Sequence, residues 1–261
     1  PAQIEIFDQV APSAIRHLHS LEWPSPDRFP LNIGRNRVRD QVIRDLVEST
    51  SPLIVAGYAA IDHIVEFLAQ LPVGQKNVRL LFGSEPSPGR PERYGSSGRP
   101  FSQEVETYWL ARGISPKLSL KLIQAVERLE RDEVEARYLG DSGARLHAKI
   151  YLGERAVTLG SSNFTEPGLV FQLEANVRFT AAHDSARYRD TATVAENYWQ
   201  AGTDFTQELI TLLKSLLQWV TWQEALARAC AELLEGQWAK DYLDAQPLAG
   251  DKPLWPSQQQ G

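Results

Sequence analysis

The apolar positions follow two different periods along the chain, and the switches between them mark the elements. From 35 to 48, Val38, Val42 and Leu46 recur every fourth residue, which is the stripe of a helix. Residues 52–58 (PLIVAGY) form a short apolar run rich in β-formers and predict a buried strand. The helical period returns over 61–71, with Ile64, Phe67 and Leu68 inward, and a second strand is predicted over 77–82. Residues 83–100 are dominated by Gly, Pro and Ser, and irregular loops of that length in a compact domain are functional or disordered. Helices are predicted over 102–112 and 116–131, then strands over 134–139, 146–152 and 156–159. The last two are joined by Gly153-Glu154-Arg155 as a hairpin. Residues 173–179 (LEANVRF) alternate and predict a further strand. Beyond 180 the pattern is helical, over 185–200, 205–220 and 222–238.

Strands alternating with helices, followed by a helical tail, predict an α/β fold: a mixed sheet flanked by helices with a C-terminal helical extension. The expected organisation has four parts. Residues 1–34, with Pro12, Pro24, Pro26 and Pro30, are an N-terminal arm, and 35–182 are the α/β domain. Residues 183–244 are the helical extension, either part of the same unit or a contact for a partner. Residues 245–261, rich in Pro, Gln and Gly, are a linker. No internal repeat is visible.

Composition narrows the class only a little. The 261 residues are 43% hydrophobic and 23% charged, ordinary for a globular protein with a sizeable core. The single cysteine, Cys230, rules out an internal disulfide. It falls in a helical stretch, where a small buried apolar residue is the plain reading. No run is apolar enough to cross a bilayer, and no basic leader precedes an apolar run at the start, so a cytoplasmic protein without a membrane partner is expected. The net charge of −6 argues against a general nucleic-acid coat but not against a local basic cleft, because the field depends on distribution.

The chemistry is concentrated in Arg145-Leu-His147-Ala-Lys149-Ile-Tyr-Leu-Gly-Glu154 and Gly160-Ser161-Ser162-Asn163-Phe-Thr-Glu-Pro-Gly-Leu. On a strand, His147 and Lys149 share a face, while Ala148, Ile150 and Leu152 point into the core. An imidazole beside an ammonium is a receptor for phosphate: the lysine supplies fixed positive charge, and the imidazole attacks phosphorus or moves a proton at neutral pH. Gly-Ser-Ser-Asn at the end of the next strand adds backbone N–H groups and a side-chain amide to such a cradle. A lone strand histidine is more often structural, and Gly-Ser-Ser-Asn alone is merely a turn. The combination is what points to chemistry.

This combination resembles the phospholipase D superfamily, whose signature is His-x-Lys, an acidic residue, and Gly-Ser-x-Asn. The runs Leu-His-Ala-Lys-Ile-Tyr-Leu and Gly-Ser-Ser-Asn-Phe-Thr-x-x-Gly-Leu are most similar to its nuclease members. The motif core spans 145–180, and the element order from 52 to 180 is compatible with that fold. The resemblance implies a metal-independent and cofactor-free nuclease acting on DNA, in restriction or phage defence. It implies that His147 is the nucleophile and forms a phosphohistidine. Lys149 and Asn163 would bind the phosphate with Ser161, and Glu174 would be the carboxylate that orients the histidine. The alternative for Glu174 is a solvent-facing strand residue. Glu154 stands where the family usually has Asp, and the spacer from there to Gly160 is one residue short, which leaves the role of Glu154 open. Family members need two motifs facing each other, one histidine attacking and the other protonating the leaving oxygen. The other histidines, His17, His19, His63 and His183, are not followed by Lys two residues on. A two-fold homodimer with a shared site is therefore expected.

Weaker signals complete the sequence. Arg90, Arg93 and Arg99 in the long loop are candidate DNA contacts, against the plainer reading of a solvated loop. Arg35, Arg37 and Arg39 are either a DNA-facing patch or a solvated helix face. Tyr58 lines the cleft or caps the core. Trp199, Trp219, Trp222 and Trp238 fit core or interface better than base stacking. Leu254-Trp-Pro-Ser-Gln258 resembles the stretch that opens the ATPase core of many superfamily 2 helicases, which implies a helicase partner domain; a plain Pro/Gln linker is the alternative. Two rival functions remain: a non-catalytic DNA-binding module of a helicase, and a lipid phosphodiesterase of the same superfamily.

Overall fold

A computed structural model describes residues 18, 20–72, 74, 77–83, 116–140 and 146–218. The elements in chain order are α1 (Val38–Val47), β1 (Leu53–Ala56), α2 (Ile61–Gln70), β2 (Val78–Phe82), α3 (Pro116–Glu130), β3 (Val134–Tyr138), β4 (Lys149–Leu152) and β5 (Ala156–Gly160). A π-helical turn (Pro167–Phe171), β6 (Asn176–Thr180), α4 (Ser185–Ala201), the two-residue β7 (Thr203–Asp204) and α5 (Thr206–Gln218) follow. The predicted helices over 102–112 and 222–238, the linker, the loop arginines Arg90, Arg93 and Arg99, and Cys230, Trp219, Trp222 and Trp238 lie outside the described residues.

Seven strands make one mixed sheet in the order β6-β5-β4-β1-β2-β3-β7. β1, β2 and β3 are parallel, while β4, β5 and β6 add antiparallel to one side. The side chains split by parity. Ile54, Ala56, Leu80, Phe82, Ala136, Tyr138 and Tyr151 pack in one core with α1, α2, α3 and α5. Leu53, Val55, Leu81, Ile150, Leu152 and Val157 pack in a second core with Ala195 and Trp199 of α4. With both faces covered, the strands read as continuous apolar runs.

α4 covers one face of the sheet, and α5 belongs to the core of the other. α4 is fastened there by charge as well as apolar contact. Arg79 makes a two-point bridge to Glu196 at 2.6 and 2.8 Å, and Arg137 stacks 4.4 Å from the Trp199 ring centre. Trp199 is therefore a core residue.

The arm, over residues 27–32, lies against the outer strand β6. The Arg178 N–H donates to the Arg28 carbonyl, and Asn176 Nδ2 donates to the Pro30 carbonyl. This contact blunts the edge of the sheet. Asn32 joins three pieces: its Oδ1 accepts from the Val38 N–H at 2.9 Å, and its Nδ2 donates to the carbonyls of Gly168 and Gln172. It satisfies one of the orphan amides that open α1 and sets the start of that helix beside the π-helical turn.

Two strands are shorter than predicted. β4 starts at Lys149 and not at 146, because residues 146–148 cross the ends of β1 and β2. β6 starts at Asn176 and not at 173, because the π-helical turn and the bond from Asn32 to Gln172 occupy the chain up to that point.

Arg178 and Asp45 form the ion pair that ties α1 to β6, with N–O distances of 2.6 and 2.7 Å and side-chain exposures of 11% and 7%. The hydrogen bonds to the Asp45 carboxylate hold the Arg178 guanidinium above its ordinary pKa. Asp45→Ala, which leaves the guanidinium without its partner, is expected to lower unfolding free energy by about 3 kcal/mol, read from the urea midpoint.

Candidate active site

The candidate residues gather at one end of the sheet, where β1 and β2 finish and β4 begins. β4 runs antiparallel to β1, with Lys149 opposite Ala56, the last residue of β1. The chain before β4 reaches this position through a notch made by two glycines. A Cβ on Gly57 would lie 2.5 Å from the Leu146 carbonyl oxygen and 3.0 Å from the His147 Cα. A Cβ on Gly83 would lie 2.6 Å from the Leu146 Cβ and 2.7 Å from its carbonyl oxygen. The Gly57 N–H also donates to the Ala148 carbonyl at 3.0 Å. The notch thus sets residues 146–148 directly on the strand ends.

His147 and Lys149 come together as predicted, but their surroundings differ. His147 is exposed at the rim. Lys149 is 4% exposed and lies on the face covered by the helices, in line with Tyr151. Its Nζ donates to the His147 carbonyl at 2.9 Å and sits 3.1 Å from both ring nitrogens. An ammonium carries only donors, so the ring nitrogen that takes its proton is an acceptor. The pair presents an exposed imidazole backed by a buried cation.

Gly-Ser-Ser-Asn reaches the same end on β5. Ile150 pairs with Leu159, so the next antiparallel step sets Gly160 across from Lys149. Ser162 is fully buried, and its Oγ accepts from Asn176 Nδ2 at 2.9 Å. Asn163 follows, and its Oδ1 is buried without a hydrogen-bond partner among the described residues. A buried acceptor without a hydrogen bond is costly, and the amide's donors are on its nitrogen.

Ser161 and Glu174 form a pair. The Ser161 hydroxyl donates to Glu174 Oε2, and its oxygen accepts from the Ala175 N–H at 2.9 Å. The Ser161 N–H is also engaged, by the Ala175 carbonyl at 3.1 Å. Glu174 is therefore bound to the Gly-Ser-Ser-Asn loop, not free on the solvent face of a strand.

Glu154 stands elsewhere. It sits in the hairpin at the opposite end of β4, where Oε1 accepts from the N–H and the hydroxyl of Thr50. Tyr58 is half-buried just after the notch. Arg37 bonds the carbonyls of Gly34 and Asn36, and Arg39 lies 3.8 Å from Glu66. Sequence reasoning missed the residues that hold the site, namely Gly57, Gly83, Ser162, Asn176 and Tyr151. The visible signal for the first two is a glycine directly after an apolar strand; the polar ones carry no signal until β4, β5 and β6 are paired.

No family profile and no curated protein matches this sequence. Among solved structures, the chain is similar to phosphatidylserine synthase from Haemophilus influenzae, with 15% identity, a TM-score of 0.50, and coverage of 94% of this chain and 54% of that one. It is also similar to Nuc from Salmonella typhimurium, described as a phospholipase D family member, with 16% identity, a TM-score of 0.38, and coverage of 64% and 89%. NucT from Helicobacter pylori shows 13% identity, a TM-score of 0.39, and coverage of 64% and 91%. The chain has a phospholipase D-like α/β fold, and at these identities the likeness speaks to the fold alone.

The notch yields a direct test. Gly57→Ala pushes a methyl group into the Leu146 carbonyl and displaces His147 from Lys149. It is expected to weaken binding of inorganic phosphate by about tenfold or more, followed by phosphorus NMR titration, because ångström displacements of a positioned group carry penalties of that size.

Proposed function

We propose that the chain is a phosphodiesterase of the phospholipase D type that hydrolyses DNA as a homodimeric, metal-independent endonuclease. The observation that carries this reading is the exposed His147 imidazole, held 3.1 Å from the ammonium of a buried lysine at the mouth of the sheet. The nuclease assignment within that type rests on the sequence resemblance around Gly160-Ser-Ser-Asn163.

Each residue then has a role. The acceptor nitrogen of His147 attacks phosphorus, a P–N bond forms, and the bond to the leaving oxygen breaks. The protonated His147 of the second copy gives its proton to that oxygen. In the second step the same imidazole takes a proton from water, the water oxygen attacks phosphorus, and the P–N bond breaks. Lys149 and the Asn163 amide hold the phosphoryl oxygens, where charge accumulates. Glu174 acts by holding Ser161 at the edge of the cradle. Arg90, Arg93 and Arg99 are assigned to the flanking phosphates.

A second copy is required because one histidine cannot at once attack and protonate the leaving group. The surface beside the site suits it. Phe171 is 60% exposed and Leu173 is 65% exposed, both within three residues of Glu174. We assign them to the contact with the second copy.

The rival reading is a lipid phosphodiesterase of the same superfamily. Plasmid cleavage and liposome hydrolysis, run side by side, separate the two. The nuclease reading expects nicking that persists in EDTA, falls by about a thousandfold or more in His147→Ala, and leaves liposomes intact. Acid quench of wild type on labelled oligonucleotide is expected to trap a phosphoenzyme that His147→Ala lacks. Equal and negligible nicking by both proteins would instead favour a DNA-binding module without catalysis.

The assembly is tested separately. Leu173→Glu is expected to convert dimer to monomer in sedimentation and to remove nicking while the urea midpoint stays unchanged. A monomeric wild type with full activity would overturn the shared site.

A further inference from the structure

Tyr151 has no part in the proposed reaction, yet it touches both neighbours of Asn163. It follows Lys149 by two residues on β4, so the two side chains lie on the same face. Its hydroxyl donates at 2.6 Å to the carbonyl of Ser162. That carbonyl belongs to the peptide whose nitrogen is Asn163's own. Its ring packs 5.7 Å from the ring of Phe164, the residue on the other side. Phe164 is pinned in turn through its backbone, because its carbonyl accepts from the Ala60 N–H at 3.0 Å.

The Asn163 side chain gives this bracketing its weight. Its Oδ1 has no partner among the described residues, so that oxygen supplies no hydrogen bond to fix the amide. Where the amide sits is set by the backbone around it. Gly168 lies against the Asn163 backbone from the other side. An aromatic side chain with two rotatable bonds, 1% exposed, is a stiff link between the lysine strand and this peptide.

We propose that Tyr151 is a positioning residue that sets the distance between Lys149 and Asn163, the two arms of the phosphate cradle. This rests on the phosphodiesterase reading of the site. Tyr151 is not an acid or base in the reaction. Burial, with the nearby charge of Glu174, drives its ionisation far above the ordinary tyrosine range, so the hydroxyl stays protonated and remains a donor.

The test uses the full chain, with inorganic phosphate as the binding probe and a labelled oligonucleotide as the substrate. Tyr151→Phe keeps the ring and removes only the hydroxyl, and its folding is checked by the urea midpoint. Thr206→Ala removes a half-buried hydroxyl that likewise bonds backbone, the N–H and carbonyl of Ala136, away from the site, and serves as control. The expected result is a loss of about tenfold in phosphate affinity and about tenfold to a hundredfold in kcat for Tyr151→Phe. The shape of its pH–rate profile stays that of wild type, and Thr206→Ala keeps both activities. Wild-type values in Tyr151→Phe would overturn the inference and leave the phosphodiesterase reading standing. Equal losses in both variants would overturn it too, since the effect would then be general stability. A displaced limb of the pH profile would make the hydroxyl a participant in proton transfer, against the proposal. A wild type that neither binds phosphate nor cleaves would remove the phosphodiesterase reading, and this inference with it.

Discussion

A lysine ammonium taken out of water must be compensated where it lies, and the site is organised around that requirement. Lys149 is 4% exposed on a strand covered on both faces. Burying a charge costs several kcal/mol unless hydrogen bonds replace the lost water. His147 supplies part of the replacement through its carbonyl and its ring. The bonds that make the cation tolerable therefore also place the imidazole. Burial strengthens the lysine's field on any anion that comes alongside, because less water screens it. Local field, not total charge, is what a phosphate meets, so a chain with a net charge of −6 is no obstacle to a phosphate site.

The fold determines where this pair opens to solvent. Both faces of the sheet carry helices, and among the described residues the pair opens to solvent at the strand ends. In open α/β sheets the crevice outside the carboxyl ends of the parallel strands is the usual place for ligands. Here β4 enters that crevice from the opposite direction, and the residues just before it cross the ends of β1 and β2. The crossing needs bare backbone beneath it, which Gly57 and Gly83 provide. The approach to β4 thus carries the exposed imidazole, and the strand itself the buried cation and, two residues further, the tyrosine that reaches the asparagine loop.

Much of this was legible from the residues. Among the described residues, the strands and helices between 52 and 180 follow from period and breakers, and the nearness of His147 to Lys149 follows from their spacing. What was not legible depends on contacts between elements distant in the chain. Asn32 bonds Gly168 and Gln172 across more than a hundred residues, and nothing in its neighbourhood announces it. The covering of the second sheet face by α4 was likewise hidden. α4 is mostly polar and docks through Ala195, Trp199 and the pairing of Arg79 with Glu196, so its pattern resembles a solvated tail. The burial of Lys149 was hidden for a related reason. Parity says which face a side chain takes, but not whether a helix lies over it.

The departure of Glu154 from the acidic position of the resembling family has a geometric account. The hairpin that carries it lies at the far end of β4 from His147, and its carboxylate fastens the turn between α1 and β1 by accepting from Thr50. Tyr188 on α4 closes the same hairpin from the other face by donating to the carbonyls of Gly153 and Glu154. A change confined there leaves the site untouched as long as the strands stay in register. They do: Ile150 faces Leu159 and Leu152 faces Val157, so Gly160 still comes level with Lys149. The hairpin is thus a structural clamp at one end of the strand, fastened by Glu154 to Thr50 and by Tyr188 to α4, while His147 and Lys149 stand at the other.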